Sequence, residues 1–287
     1  MITCDLKGGF GNQLFQIFAV ITYSLDNKKA FKFIATDNVP SITPRHSYWK
    51  SFLRSLKFFT IDKLPHNSIN FARVPTNPSF HYEPLPKYEK LSHENICLNG
   101  YFQSYKYFHH RRDDIFRLIQ LSEQKQICCE KYGIKDMDNT ISVHFRLGDY
   151  KHLSHTHPIM PVSYYVNALT HILSKSTTQK YKIVYFCEKE DNDYVCSNYI
   201  DVISSTFPSL MFEKASDDME DWEQVLLMSC CSHNIIANSS FSWFGAYFND
   251  YNKKTMICYP NVWFAGNAAN ANNTRDMFPQ SWIKISL

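Results

Sequence analysis

His144 and Arg146 stand two positions apart in the run His144-Phe145-Arg146-Leu147-Gly148-Asp149-Tyr150. In an extended strand that spacing puts both side chains on one face. An arginine at a strand end calls for an anion. Asp149 would supply one through a salt bridge, and a diphosphate suits the guanidinium fork equally well. A second group is Asn238-Ser239-Ser240-Phe241-Ser242-Trp243-Phe244-Gly245. Any helix start takes Asn or Ser as a cap, but three hydroxyls and an amide within 238–242 exceed what a cap requires. They can cradle a phosphate, with the helix dipole behind it. A third is Gly8-Gly9-Phe10-Gly11-Asn12-Gln13. Glycines let a backbone approach a ligand closely, and the following helix N-terminus offers N–H groups to anionic oxygens. The last Gly of GxGxxG is missing, so a dinucleotide fingerprint is not met. Such a turn can also serve structure alone.

Metal chemistry is not expected. His152, His155 and His157 cluster after Tyr150, but they form no i, i+4 pair and have no acidic partner within the cluster. A loop near the active site accounts for them. Asp191-Asn192-Asp193 and Asp217-Asp218 read as helix N-termini.

The elements that must position these residues follow from periodicity. Ile2–Leu6 reads as a strand, Gln13–Leu25 as a helix with an apolar stripe, and Phe31–Ala35 as a strand. From about 38 to 93 the chain is broken by Pro40, Pro44, Pro65, Pro75, Pro78, Pro84 and Pro86, which predicts loops and short helices. Leu98–Tyr101 leads into helices near Ser104–Ile119 and Ser122–Tyr132, with Gly133 as a C-cap and Asp136–Thr140 as a linker. A regular alternation follows. Strands are expected at Ile141–Arg146, Lys182–Cys187, Leu210–Glu213, Asn234–Ala237 and Met256–Tyr259. Helices are expected at Ser163–Leu173, Asp191–Tyr199, Met219–Cys230 and Phe241–Phe248. This βαβ order predicts an α/β fold with a parallel, doubly wound sheet. In such sheets ligands bind beyond the carboxyl ends of the strands, where all three groups fall.

Length and composition fit this picture. A chain of 287 residues, 44% hydrophobic and 20% charged, suits two domains, here 1–137 and 138–287. The 22 Phe, 18 Tyr and 5 Trp supply core, and rings that can stack on bases or sugars. A net charge of +3 lacks the basic stripe of a duplex nucleic-acid binder, and Arg111-Arg112 is followed at once by Asp113-Asp114. The apolar stretch Leu14–Tyr23 contains Gln16 and Thr22 and falls short of the ~20 residues of a membrane span. It also lacks the basic flank of a signal peptide. The nine Cys form no CxxC and lie mostly in apolar runs. They read as reduced thiols, so a cytoplasmic location is expected.

Taken together, the three groups resemble the motifs of the bacterial and viral α-1,2-fucosyltransferases. These are the Gly8-Gly9-Phe10-Gly11-Asn12-Gln13-Leu14-Phe15-Gln16 opening, His144-x-Arg146-x-x-Asp149, and Asn238-Ser239-Ser240-Phe241-Ser242-Trp243. The resemblance extends through Gly100–Ser104, Tyr107-Phe108, Leu227–Cys230, His233–Ala237 and Trp282–Ile285, and is weakest from 38 to 93. Leu147 stands where the family usually has a second Arg, and Phe244 where it often has a second Trp.

The resemblance implies a GT-B type glycosyltransferase, two Rossmann-like domains facing across a cleft. Residues 138–287 would bind GDP-fucose, and 1–137 would form the acceptor side, with the variable 38–93 stretch setting specificity. It implies His144 near the guanosine, Arg146 at the β-phosphate, and Ser239 and Ser240 at the remaining phosphate oxygens, with Asn238 and Phe241 also binding the donor. Glu188 would accept the guanine N1–H and N2–H₂. Gly9, Gly11, Asn12 and Gln13 would face the fucose, and Asp149 would hold Arg146 or take the acceptor's proton. The partners implied are GDP-fucose and a terminal galactosyl glycan, with no metal or other cofactor. A transferase for another GDP-sugar, or a non-catalytic carbohydrate-binding protein, would share this scaffold.

Overall fold

The computed structural model describes residues 1–40, 45–62, 71–75, 80–91, 93–134, 137–176, 180–249 and 254–287. The chain forms two compact units, Met1–Gln124 with Asn272–Pro279, and Lys125–Ala271 with Gln280–Leu287.

In the first unit the order is β1 Ile2–Cys4, α1 Phe10–Asp26, β2 Phe33–Ile34, β3 Asn38–Val39 and β4 Arg45–His46. Then come β5 Thr60–Ile61, β6 Phe71–Pro75, β7 Asn95–Asn99 and α2 Arg112–Leu118. β7 lies between β1 and β6 and runs parallel to both. β2 pairs with β5 in parallel, and β3 with β4 antiparallel.

α1 is the centre of this unit. Every residue from Phe10 to Ser24 except Asn12 is buried, the mark of a helix covered on all sides. It starts three residues before the expected Gln13 because Gly9 already serves as its N-cap. The expected helix from Ser104 to Ile119 is instead two 3₁₀ turns, Tyr105–Tyr107 and His109–Arg111, followed by α2. The break comes at Phe108, whose fully buried ring packs on Phe15 and Phe18 of α1. The returning segment is pinned through Asp276. Its carboxylate accepts the Lys106 ammonium at 2.5 Å and the Tyr82 N–H at 3.2 Å, and its carbonyl accepts the Ser104 hydroxyl at 2.5 Å. Of the expected proline-broken stretch, Pro44, Pro65 and Pro78 lie outside the described residues, as does the start of the expected linker at Asp136.

The division between the units falls within α3, Leu121–Lys131. The second unit continues with β8 Thr140–His144, α4 Val162–Lys175, β9 Lys182–Phe186, α5 Asn192–Val195, α6 Asp201–Thr206 and β10 Met211–Lys214. α7 Asp221–Met228, β11 His233–Ile235, α8 Ser240–Asn249, β12 Ile257–Pro260, α9 Gly266–Ala271 and β13 Ile283–Ile285 complete it. Six strands among the described residues form one sheet in the order β10-β9-β8-β11-β12-β13, and every pairing is parallel. This is the expected α/β class. The expected helix Asp191–Tyr199 is α5 running through a π turn, Cys196–Ile200, into α6. β8 stops at His144, so Arg146 stands beyond the strand and not on its face beside His144. Leu147 (φ −112°, ψ −87°) and Gly148 (φ +39°) turn the chain away there. Trp243 is core: it is fully buried and stacks on Tyr247 with ring centres 4.8 Å apart. Among the described residues, no helix is long and apolar enough to cross a membrane.

Candidate functional site

The sheet order runs outward from β8 to β9 and β10 on one side, and from β11 to β12 and β13 on the other. The crevice at such a switch point, beyond the carboxyl ends of β8 and β11, is where parallel sheets bind ligands. Neighbouring tyrosines of α4 hold both strand ends. The Tyr165 hydroxyl donates to the His144 carbonyl at 3.1 Å, and the Tyr164 hydroxyl to the Ile236 carbonyl at 2.6 Å. Both phenols are buried, which pushes them well above the usual tyrosine range, so they stay protonated donors.

From the β8 end, Arg146 sits between two carboxylates. One terminal nitrogen donates to Glu188, just past β9, and the other to Asp149. Burial opposes the guanidinium charge, but Glu188 and Asp149 outweigh it and raise the pKa further. The Arg146 side chain is only 18% exposed, whereas those of Asp149 and Glu188 are 44% and 48% exposed. Pairs this open to water contribute about 0–1 kcal/mol each. Both carboxylates are open enough to water to stay solvated when another anionic oxygen takes their place on the guanidinium. The Arg146 Nε is buried, with no hydrogen-bond partner among the described residues.

Tyr150 steadies this group from below. The Arg146 guanidinium carbon lies 4.9 Å from the Tyr150 ring centre, and the Tyr150 hydroxyl donates to the Asn238 carbonyl at 3.0 Å. Burial pushes the phenol up to about 12. His157 stacks on the same ring at 4.7 Å, so this member of the histidine cluster has a packing role. Asp191 stands at the N-cap position of α5, where the acidic run suggested a helix start, but its side chain makes no capping hydrogen bond and is 1% exposed. Its carboxylate accepts the Gly148 N–H at 2.8 Å and also the Lys151 ammonium. Local spacing gave no sign of Tyr150, Asp191 or the α4 tyrosines as parts of the site. Each works through a partner on a different strand or helix.

His144 is buried, with its ring 5.4 Å from that of Phe241. Burial first, and the charge of Arg146 second, bring its pKa down to about 3, so the imidazole is neutral at ordinary pH. Its Nδ1 has no partner among the described residues. Asn238 follows β11 and is held by its amide nitrogen, which donates to the carbonyls of Pro158 at 2.9 Å and Trp263 at 3.1 Å. Its Oδ1, also buried, has no partner among the described residues. The Ser239 hydroxyl accepts the Phe241 N–H at 3.3 Å, and the buried Ser242 turns back to donate to the Ser239 carbonyl at 3.5 Å. Ser239, Ser240 and Phe241 are half-buried at the first turn of α8. A guanidinium, a helix N-terminus and two unsatisfied polar atoms therefore converge on one strand-end crevice, a suitable receptor for an anion next to a polar ring.

The glycine turn belongs to the first unit. Gly8 is its left-handed residue, at φ +79°, and a Cβ there would meet the Asn12 amide nitrogen at 2.7 Å. Gly9 is extended with open space around it, and Gly11 is buried in the first turn of α1. Asn12 accepts the Gln103 amide N–H at 2.5 Å. The Gln13 amide donates to the carbonyls of Gly8 and His46, each at 3.0 Å. Its Oε1 is buried, with no partner among the described residues.

The chain matches glycosyl transferase family 11 over residues 1–286. It is 30% identical to the O-antigen biosynthesis glycosyltransferase WbnK of Escherichia coli, over 99% of this chain and 100% of that one. It is 24% identical to an alpha-1,2-colitosyltransferase of Escherichia coli, over 99% of each. A galactoside 2-alpha-L-fucosyltransferase of Caenorhabditis elegans is 28% identical over 51% of this chain and 37% of its own. Among solved structures, the apo form of POFUT1 is 9% identical, covering 91% of this chain and 97% of that one, with a TM-score of 0.47.

Proposed function

Because the chain belongs to glycosyl transferase family 11, and is thus a glycosyltransferase, we propose that it moves L-fucose from GDP-β-L-fucose to O2 of a terminal β-galactose, giving an α-1,2-fucoside. The observation that carries this reading is the half-buried Arg146 guanidinium at the β8–β11 switch point, with the first turn of α8 at the neighbouring strand end. In this reading Arg146 takes the β-phosphate. Ser239, Ser240 and the first N–H groups of α8 take the other phosphate oxygens. Neutral His144, Asn238 and Phe241 adjoin the nucleoside. As the diphosphate replaces Glu188 on Arg146, that carboxylate turns to the paired donors of guanine.

The galactose 2-OH attacks C1 of fucose from the face opposite the diphosphate, and the C1–O bond to GDP breaks through an oxocarbenium-like state. One displacement inverts the β donor to an α product. Negative charge grows on the departing GDP, so Arg146 and the α8 N-terminus hold the transition state more tightly than the ground state. Asp149, already on the guanidinium, is the candidate to take the acceptor's proton. Similarity to the colitosyltransferase across 99% of both chains supports one second reading, the same reaction with colitose in place of fucose.

The deciding experiment presents the purified chain with GDP-fucose, GDP-colitose and GDP-mannose, each with lactose and a Galβ1,3 disaccharide. Products are identified by NMR. An α-fucoside on galactose O2 is expected. Turnover of GDP-colitose alone favours the second reading, and a β anomer overturns the single displacement.

A further inference from the structure

Away from the strand-end crevice, the second unit brings together two cysteines separated by 101 residues. Cys129, in the last turn of α3, and Cys230, in the turn after α7, have their sulfurs 3.7 Å apart within one hydrogen bond. Both are partly exposed. Each has a cysteine neighbour in sequence, but those neighbours face elsewhere. Cys128 is buried and donates to the Glu223 carbonyl at 3.6 Å, while Cys231 is buried and donates to the Leu227 carbonyl at 3.7 Å.

A cation stands beside the pair. Lys125 lies one helical turn before Cys129 on the same face of α3. Its ammonium donates to the Ser229 carbonyl at 2.9 Å and the Phe248 carbonyl at 3.4 Å, against the turn that carries Cys230. We propose that Cys129 and Cys230 are a redox modification site, a dithiol that a small disulfide such as oxidised glutathione converts reversibly to an intramolecular disulfide.

The chemistry uses the two thiols unequally. The Cys230 hydrogen bond and, less strongly, Lys125 hold the Cys129 thiol below its ordinary range, at about 7, against the opposing effect of burial. The same hydrogen bond, together with burial, pushes Cys230 up. Cys129 is therefore the attacking thiolate. It displaces one thiolate from the small disulfide and becomes a mixed disulfide. Cys230 then gives up its proton, attacks the Cys129 sulfur and releases the second small thiol. Two protein thiols are oxidised and one small disulfide is reduced to two thiols. The sulfurs, 3.7 Å apart, must close to about 2.0 Å for the bond to form. The bond would join α3 to the turn that feeds β11. That turn is already tied in place by Asn234, which donates to the Met228 carbonyl at 2.8 Å, and by Asn249, which donates to the Cys231 carbonyl at 2.6 Å.

The test equilibrates the full, folded chain in glutathione buffers of increasing oxidation, then alkylates free thiols and maps peptides by mass spectrometry. The nine thiols should fall by two, with fragment spectra linking Cys129 to Cys230, and dithiothreitol should restore them. Cys129→Ser should abolish the loss, Cys230→Ser should stop at a mixed disulfide on Cys129 with one thiol lost, and Cys128→Ser should retain the full loss. Cys129→Ala on the helix surface serves if Cys230→Ser fails to fold. Nine alkylated thiols in the most oxidising buffer, or a bond through Cys128 or Cys231, would overturn the proposal.

Discussion

Gly148 and the Glu188 carboxylate fill one another's space: a Cβ at Gly148 would stand 2.6 Å from both carboxylate oxygens. Gly148 also has φ +39°, where an L side chain is strained by roughly 1–2 kcal/mol. Gly148→Ala should therefore cost stability on that scale and also swing the flexible, half-exposed Glu188 off Arg146. The double variant with Glu188→Ala should lose less nucleotide affinity than the sum of the two singles. Strictly additive losses in calorimetric titration would show that the contact does not couple them.

Arg146→Ala should cut turnover by roughly 10²–10³, the range for losing one donor to developing charge. Its partners Asp149 and Glu188 are nearly half exposed and remain solvated, so the fold should survive. Arg146→Lys should recover only part of the rate, because a point charge cannot make the forked contact. A folded Ala variant with near-native kcat sinks the assignment.

Glu188→Ala should weaken GDP and narrow the preference for GDP over UDP, with a smaller effect on the chemical step. If Glu188 served only as the counter-ion of Arg146, removing it would instead tighten both nucleotides equally. Dissociation constants for the two nucleotides, measured side by side, separate these outcomes.

His144 gives the fold a pH dependence of definite sign. Its folded pKa is about 3, below the ~6.5 of an unfolded histidine. Between those values the unfolded chain binds the extra proton, so stability rises with pH, by up to about 1.4 kcal/mol per unit, and is fully present above 6.5. Urea midpoints of the native chain should fall from pH 7 to pH 5 by more than those of His144→Asn. Equal falls would mean that another group dominates.

Activity should persist in excess chelator, since Arg146 and the α8 N-terminus can neutralise the departing diphosphate themselves. Loss in EDTA with recovery on adding Mn²⁺ or Mg²⁺ would refute this.

The parallel sheet of the second unit was legible because Ile183–Phe186 and Ile235–Ala237 are compact apolar runs, and Ile141 and Val143 alternate with Ser142, with helical stripes between them. The start of α8 was legible to within one residue from the Asn238-Ser239-Ser240 run, whereas α1 begins three residues before the expected Gln13 because Gly9 already ends the turn. β7 was missed because its apolar run is only Ile96-Cys97-Leu98, and its strand character comes from β1 and β6 on either side. In the site, the charge on Arg146 announced the need for an anion, and Asp149 was visible three residues on. Its pairing with Glu188, across 42 residues, depends on β8 and β9 lying side by side, which no local spacing encodes.

The return of Asn272–Pro279 to the first unit has a practical bearing on protein engineering. A gene fragment ending at Gln124 would lack Asp276, and with it the acceptor for Lys106, Ser104 and the Tyr82 amide. No single cut in the polypeptide releases either half with all of its own residues. Chimeras that exchange the first unit between relatives must therefore splice at two places, taking 272–279 along with 1–124.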